Sequence, residues 1–190
     1  NGRTKDGNDA TDQGLIKMFC MSCLDDKIKA IDQLHIVPVS ISYEWESCDI
    51  LKTLELYESQ FSKYTKKPGE DLNSILTGIV QSKGRVHIEL CDPISHAELA
   101  KFENLTNNEY HKAVALLLDS RINTAYRLYP NNYIAYDLRY GTTKYQDCYT
   151  QEQKELFLKR VKELERYDTC DIGKLVDIFL GIYSNPINNK

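Results

Sequence analysis

The chain has no apolar run approaching the roughly 20 residues that span a bilayer, so any membrane contact it makes is expected to be peripheral. It has no basic excess. Its 24 Lys and Arg against 28 Asp and Glu leave a formal charge of −4 and a pI of about 5.6, which excludes the positive footprint of a nucleic-acid binder. No Gly-x-Ser-x-Gly elbow and no Walker-type loop occurs, so neither the serine hydrolases nor the P-loop enzymes are indicated. There is no internal repeat, no low-complexity segment, no signal peptide and no targeting tag. The chain opens on Asn1 rather than Met, and we read it as a fragment of a larger protein.

Paired metal-binding cysteines are also missing. Six cysteines (Cys20, Cys23, Cys48, Cys91, Cys148 and Cys170) lie at irregular spacings, and Cys20–Cys23 is the single Cys-x-x-Cys. Without a second pair or nearby histidines it cannot complete a tetrahedral zinc site. All six read as reduced residues packed as small hydrophobes. Asp6-Gly7-Asn8-Asp9 opens like a calcium loop, but Thr11 stands where the glycine belongs and Lys17 where the bidentate Glu belongs, so no metal is expected.

What is present is ordinary globular composition, 42% hydrophobic and 27% charged, in a chain long enough to bury a core as one domain or slightly more. The first distinctive stretch is Gly2-Arg3-Thr4-Lys5, followed by Gly7. Glycines let a backbone approach an anion, an Arg fork holds two of its oxygens, and Lys adds a point charge. A helix over 12–24 with Thr11 or Asp12 as N-cap follows, through Leu15, Ile16, Phe19, Cys20 and Cys23. Next comes a strand over His35–Ser42, with Val37, Val39 and Ile41 on one face and Ile36 and Pro38 on the other. Apolar residues on both faces predict a parallel strand covered by helices.

Gly-Arg-Thr-Lys-x-Gly, a helix, then Val37-Pro38-Val39 resembles the third and fourth sequence blocks of the glycerophosphate and lysophosphatidate acyltransferases. The resemblance covers about residues 1–94. It implies that Gly2, Arg3, Thr4 and Lys5 hold the phosphate of a glycerolipid acceptor, and that acyl-CoA or acyl carrier protein brings the acyl chain as a thioester. It also implies an upstream His-x-x-x-x-Asp general base, so that no catalytic residue lies in this chain. The family's Glu before the loop is replaced by Asn1, whose role is not carried over. Such an enzyme acts in phospholipid synthesis, peripherally on the cytoplasmic face of a membrane, with no bound cofactor and no nucleic-acid partner.

Helices are predicted over 47–67 and 70–82, the second through Leu72, Ile75, Leu76 and Ile79. A strand over 85–91 follows, with Val86, Ile88 and Leu90 on one face. Beyond Ile94 the pattern is helical. Capping boxes at Thr106/Glu109 and Thr150/Gln153 open two helices, Pro130 opens another that Gly141 stops, and an apolar core helix runs over 172–183 until Asn185-Pro186 ends it. His87 and Asp92 spell His-x-x-x-x-Asp, but on a strand they lie roughly 16 Å apart on opposite faces, and we read the match as coincidental. Tyr126, Tyr129, Tyr133, Tyr136 and Tyr140 read as helix-packing residues. Asp119, Arg121, Arg127, Asp137 and Arg139 are expected to pair with one another.

The fold expected is α/β: residues 1–94 form the back half of an acyltransferase-like domain, with a short parallel sheet flanked by helices, and 95–190 form a helical extension packed on it. The function expected is acyl transfer, with a non-enzymatic helical interaction module as the alternative.

Overall fold

A computed structural model describes residues 6–62, 64–65 and 68–190. In chain order the elements are α1 (Gln13–Cys20), α2 (Lys27–Asp32), β1 (Val39–Tyr43), α3 (Asp49–Ser59), α4 (Glu70–Val80), β2 (Val86–Leu90), α5 (His96–Ala100), α6 (Asn107–Ala125), α7 (Pro130–Tyr140), α8 (Gln151–Lys162) and α9 (Ile172–Asn188). Short 3-10 turns follow α7 and α8, at Gln146–Cys148 and Glu163–Arg166. Among the described residues helices make up 59%, and the one sheet is a two-stranded antiparallel ribbon of β1 and β2. The expected parallel sheet flanked by helices is therefore not formed.

The ribbon shows why. Glu44 N–H donates to Arg85 O and Cys91 N–H to Pro38 O, both at 2.9 Å, so Val39 faces Leu90, Ile41 faces Ile88 and Tyr43 faces Val86. Of the two faces expected to be covered, one is open: Val39 is 40% and Ile41 44% exposed, while Ser40 and Ser42 are fully buried. Both serines find backbone partners. Ser40 Oγ donates to Ile122 O at 3.0 Å, and Ser42 Oγ accepts from Arg127 N–H at 2.8 Å. A satisfied hydroxyl is inexpensive to bury, so the polar alternation points inward here and the apolar alternation outward.

The chain divides into two units, and both draw residues from either side of position 94. The first holds Asp9–Ile41 and His87–Tyr126. Its core joins Ile16, Ile28, Ile31, Leu99, Tyr110, Val114 and Leu118 from α1, α2, α5 and α6. Asp12 caps α1 through Gly14 N–H at 2.7 Å, and Asp26 caps α2 through Lys29 N–H at 2.9 Å. The single helix expected over 12–24 is thus shortened, and a second begins at its own cap. Arg121 donates to the carbonyls of Asp92 and Pro93 and pairs with Glu98, which fastens the segment leaving β2. Ser95 and Glu98 form a capping box on α5.

The second unit holds residues 6–8, Ser42–Val86 and Arg127–Lys190. Its core is Ile134, Phe157, Leu164, Leu175, Phe179 and Tyr183. The Tyr183 ring lies 5.2 Å from Phe157 and 5.3 Å from Phe179, and Trp45 stacks on Phe157 at 5.9 Å. The boxes at Thr106/Glu109 and Thr150/Gln153 form as expected. Helix α9 runs past the expected stop, with Pro186 inside it. Asn185 Nδ2 donates to Asp6 O at 2.8 Å and its Oδ1 accepts from Arg139 Nη1 at 2.9 Å, contacts that hold the last turn. Helix α4 buries nothing: Leu72, Ile75, Leu76 and Ile79, one helical face, are 58–72% exposed.

Candidate functional site

Gly2, Arg3, Thr4 and Lys5 lie outside the described residues. The turn that follows them is built. Gly7 adopts φ +82°, and a Cβ there would stand 2.8 Å from Pro186 Cδ and 3.2 Å from Ile182 O. Only glycine meets both the left-handed backbone and that approach. Ile182 O is also the carbonyl that Pro186, lacking an N–H, cannot bond within α9. Asp6 Oδ1 accepts Asn8 N–H at 2.9 Å, and Asn189 Nδ2 donates to Gly7 O, so the turn is fastened on both sides.

His87 and Asp92 do not meet. His87 Nε2 lies 3.1 Å from Glu89 Oε2, its neighbour on the same face of β2, whereas Asp92 offers its carbonyl to Arg121. The expected mutual pairing among five charged residues is also replaced. Asp119 accepts the N–H of Thr11 at 3.0 Å and its hydroxyl at 2.6 Å, and Arg121 pairs with Glu98. Asp137 accepts from Thr142, Tyr145 and Tyr149, and Arg139 pairs with Asp177 at 3.0 Å. Arg127 pairs with none of them. The partners of Asp119, Arg121 and Arg139 lie 108, 23 and 38 positions away, beyond any local pattern.

The second unit carries an open cleft of about 320 Å³ lined by Arg85, Arg127, Tyr129, Asp147, Thr150 and Gln153, among others. One wall is Arg85. Arg85 Nε and Nη2 grip Glu44 Oε2 and Oε1 at 3.1 and 2.9 Å, its own N–H reaches Oε2 at 3.0 Å, and its Cζ sits 5.1 Å above the ring centroid of buried Tyr129. The hydrogen bonds from Arg85 hold the Glu44 carboxyl below its ordinary range and raise the guanidinium in return. Asn131 Nδ2 fixes Glu44 O at 2.6 Å. Gly84, at φ +60°, leaves room for Glu44 Oε2, which would lie 2.7 Å from a Cβ there. This fork joins residues 41 positions apart, and no short motif signals it.

A second polar centre is sealed in the core of the same unit. Asp49 is fully buried and accepts from Arg160 Nε at 3.1 Å, Tyr183 Oη at 2.9 Å, Ile50 N–H at 2.8 Å and Gln81 Nε2 at 3.3 Å. Burial, reinforced by the Asp49 charge, pushes the Tyr183 phenol well above its usual value. The Asp49 carboxylate raises Arg160, which also pairs with Glu163 at 3.0 Å. With every acceptor position of Asp49 taken and its carboxylate fully buried, this network organises the core rather than presenting a reagent. Among the described residues no cluster of His, Cys, Asp and Glu is arranged to hold a metal ion, and no helix is long and apolar enough to cross a membrane.

No protein-family model, curated protein or solved structure matches the chain.

Proposed function

We propose that this chain is the acceptor-binding portion of an acyltransferase. It moves an acyl group from a thioester of coenzyme A or acyl carrier protein to the hydroxyl of a glycerophosphate-type acceptor. The observation that carries the reading is Gly7. The residue that closes the Gly-Arg-Thr-Lys-x-Gly block is one whose left-handed backbone and close approach to Pro186 admit only glycine, so the block ends in a fixed turn. The order of segments supports it too, since a strand, β1, begins directly after Pro38, although two short helices precede it where the resemblance has one. The support lies in that order and not in the sheet, whose antiparallel pairing departs from what the resemblance implies.

In this reading Arg3 and Lys5 neutralise the acceptor's phosphate and hold its hydroxyl toward the thioester. The hydroxyl oxygen bonds to the acyl carbon, the C–S bond breaks, and the hydroxyl proton passes through a base to the departing thiolate. That base comes from a segment preceding the loop, as in the family. The products are lipids, which places the work at a membrane surface on the cytoplasmic side.

The test is transfer of a labelled acyl group from acyl-CoA to glycerol 3-phosphate and to lysophosphatidate by the full-length gene product and its Arg3→Ala variant. The expected outcome is activity whose acceptor KM rises in the variant with little change in kcat, the mark of lost ground-state binding. An inactive gene product overturns the proposal. The account left is then an interaction module, which the exposed face of α4 favours.

A further inference from the structure

The cleft of the second unit holds two opposite charges that do not meet. Among the described residues, neither the Arg127 guanidinium nor the Asp147 carboxylate makes a hydrogen bond or an ion pair, although both line the same cavity of about 320 Å³. Neither sits on a loose segment. Arg127 N–H donates to the buried Ser42 hydroxyl at 2.8 Å. Asp147 lies on the turn Gln146–Cys148, and buried Asp137 holds both residues flanking that turn, Tyr145 N–H at 3.1 Å and Tyr149 Oη at 3.0 Å. Two opposite and unpaired charges, each on a fixed backbone in one cleft, define complementary ends for a guest.

The rest of the lining sharpens the polarity. Glu44 occupies Nε and Nη2 of Arg85 but leaves Nη1 free of that fork, so Arg85 offers a rigid donor with most of its charge compensated. Thr150 and Gln153 bring the N-terminal end of α8 to the lining, where the helix dipole favours negative charge. Asp147 is the one acidic side chain on the lining.

We propose that this cleft binds a small zwitterion of the aminoalkyl phosphate class. Its oxyanion is held by Arg127 with the free donor of Arg85, and its ammonium by Asp147. The cavity suits a guest of that size, and its openness to solvent suits a polar one. The inference stands on the second unit alone and is independent of acyl transfer.

The experiment is an NMR titration of the full chain with O-phosphoethanolamine, compared with inorganic phosphate and ethylamine, repeated with Asp147→Asn and Arg127→Gln. Each variant changes an exposed side chain, and circular dichroism checks its fold. A second ion-pair contact at an exposed carboxylate is worth about a two- to fivefold gain in affinity. O-phosphoethanolamine is therefore expected to saturate shifts around Tyr129 and Thr150 about two- to fivefold more tightly than phosphate. Asp147→Asn is expected to remove that advantage and leave phosphate binding unchanged, while Arg127→Gln weakens both anions. Absence of saturable binding overturns the proposal. So does equal affinity for phosphate and O-phosphoethanolamine with a silent Asp147→Asn, which would define a plain anion site.

Discussion

Replacing Asp49 by Asn tests the account of the second unit's core most directly. The substitution keeps the volume of a fully buried side chain but removes its charge. It also turns one of two accepting oxygens into an amide NH2 that faces an Arg160 donor in either orientation, together with the Tyr183 hydroxyl at one oxygen or the Ile50 N–H at the other. Breaking a buried ion pair from one side costs about 3–5 kcal/mol. The Arg160 side chain is 24% exposed and keeps Glu163, so the lower end applies, about 3 kcal/mol. In a protein of this size that lowers Tm by roughly 10 °C. Trp45 is the chain's only tryptophan and stacks on Phe157 inside the affected core, so its fluorescence in a urea titration at pH 7 reports the loss. A second arm adds Arg160→Met. With no guanidinium left to desolvate, the double variant should recover stability relative to Asp49→Asn alone. The reasoning is refuted if Asp49→Asn unfolds within about 0.5 kcal/mol of the wild type, or if the double variant is as unstable as the sum of its single changes.

Three further outcomes follow from the same geometry. The Glu98 carboxyl is pulled down to about 2, first by the Ser95 hydroxyl and N–H and then by Arg121. Its contribution is complete above the unfolded value near 4.3 and is lost as pH falls toward 2. The stability gap between wild type and Glu98→Gln, read from urea midpoints, should close over that window, and a gap equal at pH 6 and pH 2.5 would sink the assignment. Gly7→Ala should cost about 1–3 kcal/mol and more than Gly141→Ala. Both glycines have positive φ, but a Cβ at Gly141 meets nothing within 4 Å, whereas one at Gly7 meets Pro186; equal midpoints would show that the close approach does not exist. Leu76→Lys on the open face of α4 should change stability by less than about 0.5 kcal/mol, and a larger loss in the same urea titration would mean that this face is covered.

What the sequence determined by itself is local. Thr106 with Glu109 and Thr150 with Gln153 place helix starts, because a capping box joins groups three residues apart. The apolar face of α9 marks a core helix, because 3.6-residue periodicity needs no distant partner. Gly7 stood out beside Arg3 and Lys5, though the reason that only glycine serves there is Pro186, at the far end of the chain. Tertiary structure alone decided the rest. An alternating strand states that its faces differ and not which is covered; that depended on whether Ser40 and Ser42 could reach backbone partners 82 and 85 residues away. Strand direction likewise follows from where the chain returns, and the return through α4 brought β2 back antiparallel. The forks of Glu44 with Arg85 and of Asp49 with Arg160 join residues 41 and 111 positions apart. Coulomb attraction acts through space, so charge pairing is written in the fold and carries no mark in sequence spacing.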